Sequence, residues 1–415
     1  MNDKIILHLT SLTSGGGGNV TIDIHRSILG FGYQSYVIIR GRKCLFPDGT
    51  VHDVPQTRHF WWNKLRRYFF RQIAMHSEID DAYAMYNLCE RFTCYSAKDI
   101  LSVLPRNPDV IFIHWVSDFI NARIIRDLKS VTGAETVLLM IDHAMFSGGC
   151  HYQLDCQGFR NGCHNCPATT SRLVRHGIAQ NFAFKKRYLP RDIFISAHSF
   201  ERQRLVQSVL YQSSKSGLIV FPRNESQYRP STNRAALREK WGISANKRVI
   251  FAGATSLNEP RKGMSLLLEA LPLIKNTDYL LILAGNHKFP LDEECVFQLG
   301  YLDESKLIEA YQVSDVFVCP SIADAGPLMV KQACLCGTPV VAFPVGYSCD
   351  LIKTGKTGYL ANYRDIEDLA RGIDSILSLT DREWESMSDR CRSEAHLYFG
   401  SYSGGIPFCE WIQHI

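Results

Sequence analysis

The stretch DAGPLMVKQ puts a carboxylate, Asp324, eight residues ahead of an amide, Gln332, with Gly326 and Pro327 between them. An apolar run, VFVCPS, comes just before it and ACLCGTPVVAFPVG just after. Proline suits the first position of a helix, and glycine lets a backbone come close to a ligand. The first N–H groups of such a helix, at 326 to 329 and so including Leu328, would point at phosphate oxygens. Asp324 would then hold a sugar hydroxyl, and Gln332, about one and a half turns into the helix, a ribose hydroxyl. The plainer alternative makes Asp324 an N-cap and Gln332 a surface residue.

Other groups of reactive type stand where apolar runs end. After RVIFAGA comes TSLNEPRKG, with Arg261 and Lys262 just before a helical stretch. Two adjacent cations there can clamp a pyrophosphate, or they form an ordinary solvated charge pair. After the first apolar run comes TSGGGGNV, in which Gly16 and Gly17 allow close backbone approach to phosphate or sugar. That loop lacks the spaced glycines of the dinucleotide fingerprint, and a merely flexible loop is the alternative. After TVLLMI come Asp142 and His143, an acid and an imidazole side by side, either functional or a satisfied structural pair. Cys150, Cys156, Cys163 and Cys166 are separated by five, six and two residues. Four thiolates ending in C-x-x-C suit a closed, structural zinc knuckle; two disulfides or unligated thiols are the other readings.

These positions need a scaffold. The chain has 415 residues, more than one domain usually holds. Its 46% hydrophobic and 21% charged content is that of a soluble globular protein. No apolar run approaches the roughly 20 residues that span a bilayer. The opening MNDKIILHLTS reads as a first strand rather than a secretion signal, so the cytoplasm is the expected compartment. KIILHLTSL, SYVIIR, DVIFIHWV, TVLLMID and DIFISA in the first half read as strands buried on both faces. RVIFAGA, YLLILAG, VFVCPS and PVVAFPVG repeat that grammar in the second half, alternating with helices such as GMSLLLEALPLI and DIEDLARGIDSILSL. Strand and helix alternating twice over predicts two doubly wound α/β domains. The expected division is 1–210, 211–395 and a closing segment, 396–415, that packs back on the first domain. In such sheets ligands bind outside the carboxyl ends of the strands, which is where the candidates lie.

The stretch PSIADAGPLMVKQACLCGTPVVAFPVGYSCDLIKTGKTGYL resembles the donor-binding signature of retaining glycosyltransferases of family four, which have the GT-B fold of two Rossmann-like domains facing a cleft. GYLDESKLIEAYQVSDVFVCPS and RKGMSLLLEAL are similar to the segments that precede that signature, so the resemblance covers most of 245 to 362. In the first half, DHAMFSGGCHY with the cysteine cluster, and IFIHW, resemble a subgroup found in bacterial polysaccharide assembly. The family has two glutamates eight apart; here Asp324 and Gln332 stand in their places. Its phosphate-binding lysine falls on Lys262, while the arginine after the strand glycine falls on Ala254, with Arg261 as the substitute. Its base-binding turn falls on Tyr301 and Leu302. Its first-domain histidine has no clean counterpart: Ile141 occupies one aligned position and His143 stands two residues on. The candidate catalytic residues are therefore Asp324, His143 and Asp142.

The resemblance implies transfer of a sugar, with retention, from a nucleoside-diphosphate sugar to a glycan or lipid-linked oligosaccharide in capsule, exopolysaccharide or O-chain assembly. It implies no cofactor for the chemistry, leaving zinc as a structural metal only. A nucleotide-sugar epimerase of the same fold, which would turn over without acceptor, and a non-catalytic binding protein are the alternatives. Residues 1 to 210 carry 25 basic against 17 acidic side chains, a net +8 within a total of +5. No recognised nucleic-acid motif accompanies that charge, so nucleic acid is not an expected partner. RHFWWNKLRRYFFRQIAMH, residues 58 to 76, interleaves aromatic and basic residues. Such a mixture suits the headgroup region of an anionic membrane surface, with peripheral attachment at the inner face as the expectation. A helix whose aromatics pack on the first sheet is the alternative.

Overall fold

The computed structural model describes residues 2–13, 15–41, 49–54, 56, 61–211, 215–218, 227–291 and 295–399. The chain divides into two units, Met1–Ala197 with Glu201–Pro222, and His198–Phe200 with Arg223–Gly404. Of the closing segment, residues 400–415 lie outside the described residues, and so do 58–60 of the aromatic and basic stretch.

The first unit is built on β1 (Asn2–Thr10), β2 (Tyr33–Arg40), β3 (Val51–Val54), β4 (Val110–Ile113), β5 (Glu135–Met140), β6 (Ile193–Ser196) and β7 (Lys215–Leu218). Its helices are α1 (Gly15–Gly30), α2 (Trp61–Met75), α3 (Ala97–Leu101), α4 (Ala122–Thr132), α5 (Arg172–Tyr188) and α6 (Ser199–Val206). The strands run parallel in the order β3-β2-β1-β4-β5-β6-β7. Consecutive residues such as Ile111, Phe112 and Ile113 are all buried, because helices cover both faces of a parallel sheet.

The second unit carries α7 (Arg234–Lys240), β8 (Arg248–Ser256), α8 (Met264–Ala270), β9 (Tyr279–Asn286), β10 (Val296–Gln298), α9 (Glu304–Val313) and β11 (Val316–Cys319). It continues with α10 (Leu328–Leu335), β12 (Val340–Ala342), α11 (Ser348–Leu351), β13 (Gly358–Leu360), α12 (Ile366–Leu377) and α13 (Asp381–Phe399). Its sheet is also parallel, in the order β10-β9-β8-β11-β12-β13. Phe251, Tyr311 and Phe317 fill its middle with ring centroids 5.2 to 5.4 Å apart.

Each sheet grows outward from its first strand in one direction, then restarts beside that strand and grows in the other. The restarts lie at β1/β4 and at β8/β11. There the connections leave on opposite sides and open a crevice at the strand ends. The topology therefore selects the loops after β8 and β11 in the second unit, and those after β1 and β4 in the first.

Candidate functional site

In the second unit the two selected loops meet. A short 3-10 turn, Pro260–Lys262, follows β8 and ends at Gly263, whose φ is +66°. A Cβ there would come within 1.9 Å of the Pro320 carbonyl oxygen. Only glycine lets this turn lie on the end of β11, and that contact carries Lys262 to Asp324. The Lys262 ammonium lies 2.6 Å from Asp324 Oδ2, and Arg261 Nη1 lies 3.1 Å from the same oxygen. Asp324 Oδ1 accepts the Gly326 N–H at 3.1 Å. The carboxylate is 9% exposed. Burial pushes its pKa up, but the Lys262 and Arg261 charges outweigh that and hold it down at about 2.

Arg261 is not a bare cation. Its Nε and Nη2 donate to the Glu259 carboxylate at 2.6 and 3.0 Å, and its backbone carbonyl accepts the Ile322 N–H at 2.9 Å. Two cations and two carboxylates thus balance within this cluster. Lys262, ion-paired only with Asp324 among the described residues, is the cation more readily offered to a phosphate. Glu259 sits two residues before Arg261 in NEPRK, so its neutralising role was a signal open to sequence reasoning.

Pro327 stands as N-cap of α10 rather than inside it, and no side chain caps this helix end. The first turn of N–H groups therefore retains its affinity for anions. Gly326 has φ +145°, and a Cβ there would lie 3.1 Å from Tyr347 and 3.2 Å from His198. His198 Nε2 hydrogen-bonds the Ala325 carbonyl and so fixes the loop, a contact the sequence did not announce. Leu328 opens the helix beside them.

Gln332 lies elsewhere than expected. It is buried, its Oε1 accepts from the Tyr311 hydroxyl at 3.1 Å, and its Nε2 donates to Tyr228 Oη at 2.9 Å. Tyr228 in turn donates to Glu304 at 2.7 Å. Both ends of the amide are committed inside the unit, so it does not offer itself to a ribose. Tyr301 and Leu302 sit in the turn between β10 and α9, with Tyr301 69% exposed. Ala254 is a buried residue of β8.

In the first unit the glycine run is the first turn of α1 and not a loop ahead of it. A Cβ on Gly16 would meet nothing within 4 Å, while one on Gly17 would lie 3.2 Å from Ile141 Cδ1. His143 is fully buried. Its Nδ1 accepts the Gln153 N–H at 3.2 Å and its Nε2 meets Glu201 Oε2 at 2.9 Å. Neither nitrogen is left to exchange a proton with a substrate, which corrects the expectation of His143 as a catalytic group. Asp142 pairs with a different imidazole: its Oδ2 lies 3.0 Å from His151 Nδ1. That contact favours the proton on Nδ1, leaving His151 Nε2 to accept from the Ser117 hydroxyl at 3.0 Å. Burial raises the Asp142 carboxyl, but His151 and the Ala144 N–H outweigh it and keep the pKa below the ordinary value. The imidazole stacks on Trp115, with centroids 4.1 Å apart. Ser117 and His151 are 34 residues apart on different loops, and no spacing rule links them.

The zinc expectation for Cys150, Cys156, Cys163 and Cys166 is left unsupported. Among the described residues no group of three or more His, Cys, Asp or Glu side chains is placed to hold a metal ion. All four thiols are free, and Cys150, Cys163 and Cys166 are buried. Cys163 and Cys166 join the hydrophobic core of the unit. Burial pushes the Cys150 thiol far up and Cys163 to about 12, and the neighbouring thiols of the cluster raise both further.

Comparison with known proteins bears on both units. Over 95% and 96% of this chain respectively, the fold is similar to that of Anabaena Alr3699/HepE, solved in complex with UDP and glucose, and of sucrose-phosphate synthase from Thermosynechococcus elongatus. The TM-scores are 0.63 and 0.66, the sequence identities 16% and 14%, and 95% of each of those chains is covered. The fold is GT-B, with two Rossmann-like α/β units in one chain. Residues 233–396 match the family described as Glycosyl transferases group 1, a stretch that contains Lys262, Asp324 and α10. Over 163 residues the chain is 29% identical to the D-inositol 3-phosphate glycosyltransferase of Mycobacterium sp. (strain KMS), covering 35% of this chain and 36% of that relative. The chain thus matches about a third of the length of that curated relative.

Proposed function

We propose that this protein is a glycosyltransferase that moves a sugar from a nucleoside-diphosphate sugar to a hydroxyl of a glycan or lipid-linked acceptor. The observation that carries the proposal is the Lys262–Asp324 pair beside the uncapped N-terminus of α10, at the β8/β11 switch point. In the transfer, the bond from the anomeric carbon to the β-phosphate oxygen breaks and its electron pair leaves with the phosphate. The acceptor oxygen bonds to that carbon and passes its proton to the departing phosphate oxygen. Negative charge grows on the leaving phosphate, where a fixed cation and N–H dipoles stabilise it most. Lys262 and the N–H groups of Leu328 and Met329 fill that role, while the Gly326 N–H stays on Asp324 Oδ1. Arg261, tied to Glu259, positions the turn. Asp324 Oδ1 keeps lone-pair capacity beyond its bond to Gly326 and receives a donor-sugar hydroxyl. Tyr301 and Leu302 border the base, and Gly16 and Gly17 leave room in the first unit. Asp142 acts through His151 on Ser117.

Retention of configuration and a place in bacterial surface-polysaccharide assembly follow from the family resemblance of DAGPLMVKQ and DHAMFSGGCHY. The UDP-glucose complexes of Alr3699/HepE make UDP-sugars the first donors to try. Release of nucleoside diphosphate, measured with and without acceptor glycans, tests the proposal. Lys262→Ala is expected to lower the acceptor-dependent rate on the order of a hundredfold. Conversion of donor to an epimer without acceptor, or an unchanged rate in Lys262→Ala, overturns it.

A further inference from the structure

Helix α2, Trp61–Met75, is amphipathic the wrong way round for a protein in water. Asn63, Arg67, Phe70 and Ala74 recur at helical spacing and, half-buried, form the face toward the unit, while Gln72, also half-buried, lies on the opposite side. Asn63 donates to the Thr93 carbonyl at 2.8 Å, Arg67 pairs with Asp118, and Phe70 occupies the space left by Gly177. No residue of the helix is fully buried. The opposite face carries Trp61, Trp62, Leu65, Phe69, Ile73 and Met75, with Trp61 54%, Trp62 58% and Met75 76% exposed. The packing alternative, with the aromatics against the sheet, is therefore set aside.

Charge borders this face. WWNKLRRYFFRQIAM has four basic and no acidic residues. At 100° per residue, Lys64 and Arg71 fall on one flank of the apolar stripe and Arg66 on the other. Arg71 shares Asp118 with Arg67 and Arg40, and no ion pair is found for Lys64 or Arg66 among the described residues. The Trp61 and Trp62 rings stack with centroids 3.8 Å apart. Fifteen residues make about 22 Å of helix, and its four charges keep it from crossing a bilayer; no helix among the described residues is long and apolar enough to do so.

We propose that the outward face of α2 docks on a lipid leaflet rich in anionic headgroups, lying in the plane of the interface. Aromatic rings sit at headgroup level and basic flanks meet lipid phosphates. Single-stranded nucleic acid would also take rings and cations, but Leu65, Ile73 and Met75 give nothing to base stacking and fit acyl chains. A second copy is disfavoured by charge, because a two-fold pairing of this face brings the basic flanks together. The inference is independent of the glycosyl-transfer reading, since binding is measured without substrate.

Flotation of the full chain with phosphatidylglycerol or phosphatidylcholine vesicles, at low and high salt, is the test, with tryptophan emission recorded. Binding to phosphatidylglycerol is expected to exceed binding to phosphatidylcholine at least tenfold, to weaken in salt, and to shift tryptophan emission to the blue. Each basic residue at an anionic surface gives roughly a fivefold gain, so Lys64→Gln with Arg66→Gln should lose roughly twenty-five-fold. Trp61→Ser with Trp62→Ser and Phe69→Ser should abolish binding without changing the unfolding midpoint. Equal binding to both lipids, no binding to either, or unchanged binding by the serine variant overturns the proposal. So does binding of single-stranded RNA, or self-association, that the serine variant loses while vesicle binding stays.

Discussion

Replacing Lys262 with methionine removes the ammonium that lies 2.6 Å from Asp324 Oδ2 while keeping most of the side chain's length. The Asp324 carboxyl is lowered from 3.8 to about 2 although burial alone would raise it, and Lys262 is the largest of the lowering causes. A depression of roughly two units corresponds to about 2 kcal/mol of net preference for the charged form. That net figure also contains burial, Arg261 and the Gly326 N–H, so Lys262→Met, Asp324→Asn and the double variant should close a mutant cycle with a favourable coupling on the order of 1 kcal/mol or more at neutral pH. The sign with pH follows from the depressed pKa. The pair stabilises the fold fully above the unfolded value of 3.8, and the stabilisation is lost as pH falls through about 2. Urea midpoints of the four proteins, taken at pH 7, 5 and the most acid pH at which all remain folded, give the coupling directly. A coupling below about 0.5 kcal/mol at pH 7, the level of ordinary non-additivity, or one that does not shrink in acid, refutes the pair as the electrostatic centre of the loop.

Gln332→Glu restores a family residue yet should destabilise the fold by about 1–3 kcal/mol, because the Tyr228 hydroxyl already donates to Glu304 and the new carboxylate has no proton to give it; thermal unfolding reads this. Gly326→Ala puts a Cβ into the left-handed region and against Tyr347 and His198, at a cost of about 1–3 kcal/mol in urea unfolding. Asp142→Asn should lower stability at neutral pH, with the gap to the parent protein narrowing in acid, since the Asp142 pKa is held below its ordinary value. His143→Gln should alter stability without altering the pH profile of turnover, because both ring nitrogens are committed to Gln153 and Glu201.

The central strands were legible because a parallel sheet covered on both faces demands unbroken apolar runs such as VIFI and VVA. Short edge strands were not: Val51–Val54, Lys215–Leu218, Val296–Gln298 and Gly358–Leu360 have three or four residues each and too little pattern. Asp324 and Lys262 were each visible as strand-end residues, but their contact across 62 positions is tertiary. Gln332 was misplaced because a 3.6-residue period says which residues share a face, not whether a tyrosine waits on it. The acid at position 142 was legible and its imidazole was not, since Asp142 turns to His151 instead of its neighbour His143. Cysteine spacing states how far apart ligands stand along a chain, and not that Cys163 and Cys166 join a hydrophobic core.

Isothermal titration of UDP-sugars and other nucleoside-diphosphate sugars into the parent protein and Lys262→Ala tests the donor site most directly. One donor should bind at a single saturable site, tenfold or more weaker in Lys262→Ala, and protect the N–H groups of Leu328 and Met329 from hydrogen exchange. Binding of no such donor, or equal affinity in the two proteins with no protection at the start of α10, would contradict a donor diphosphate held by Lys262 and that helix end.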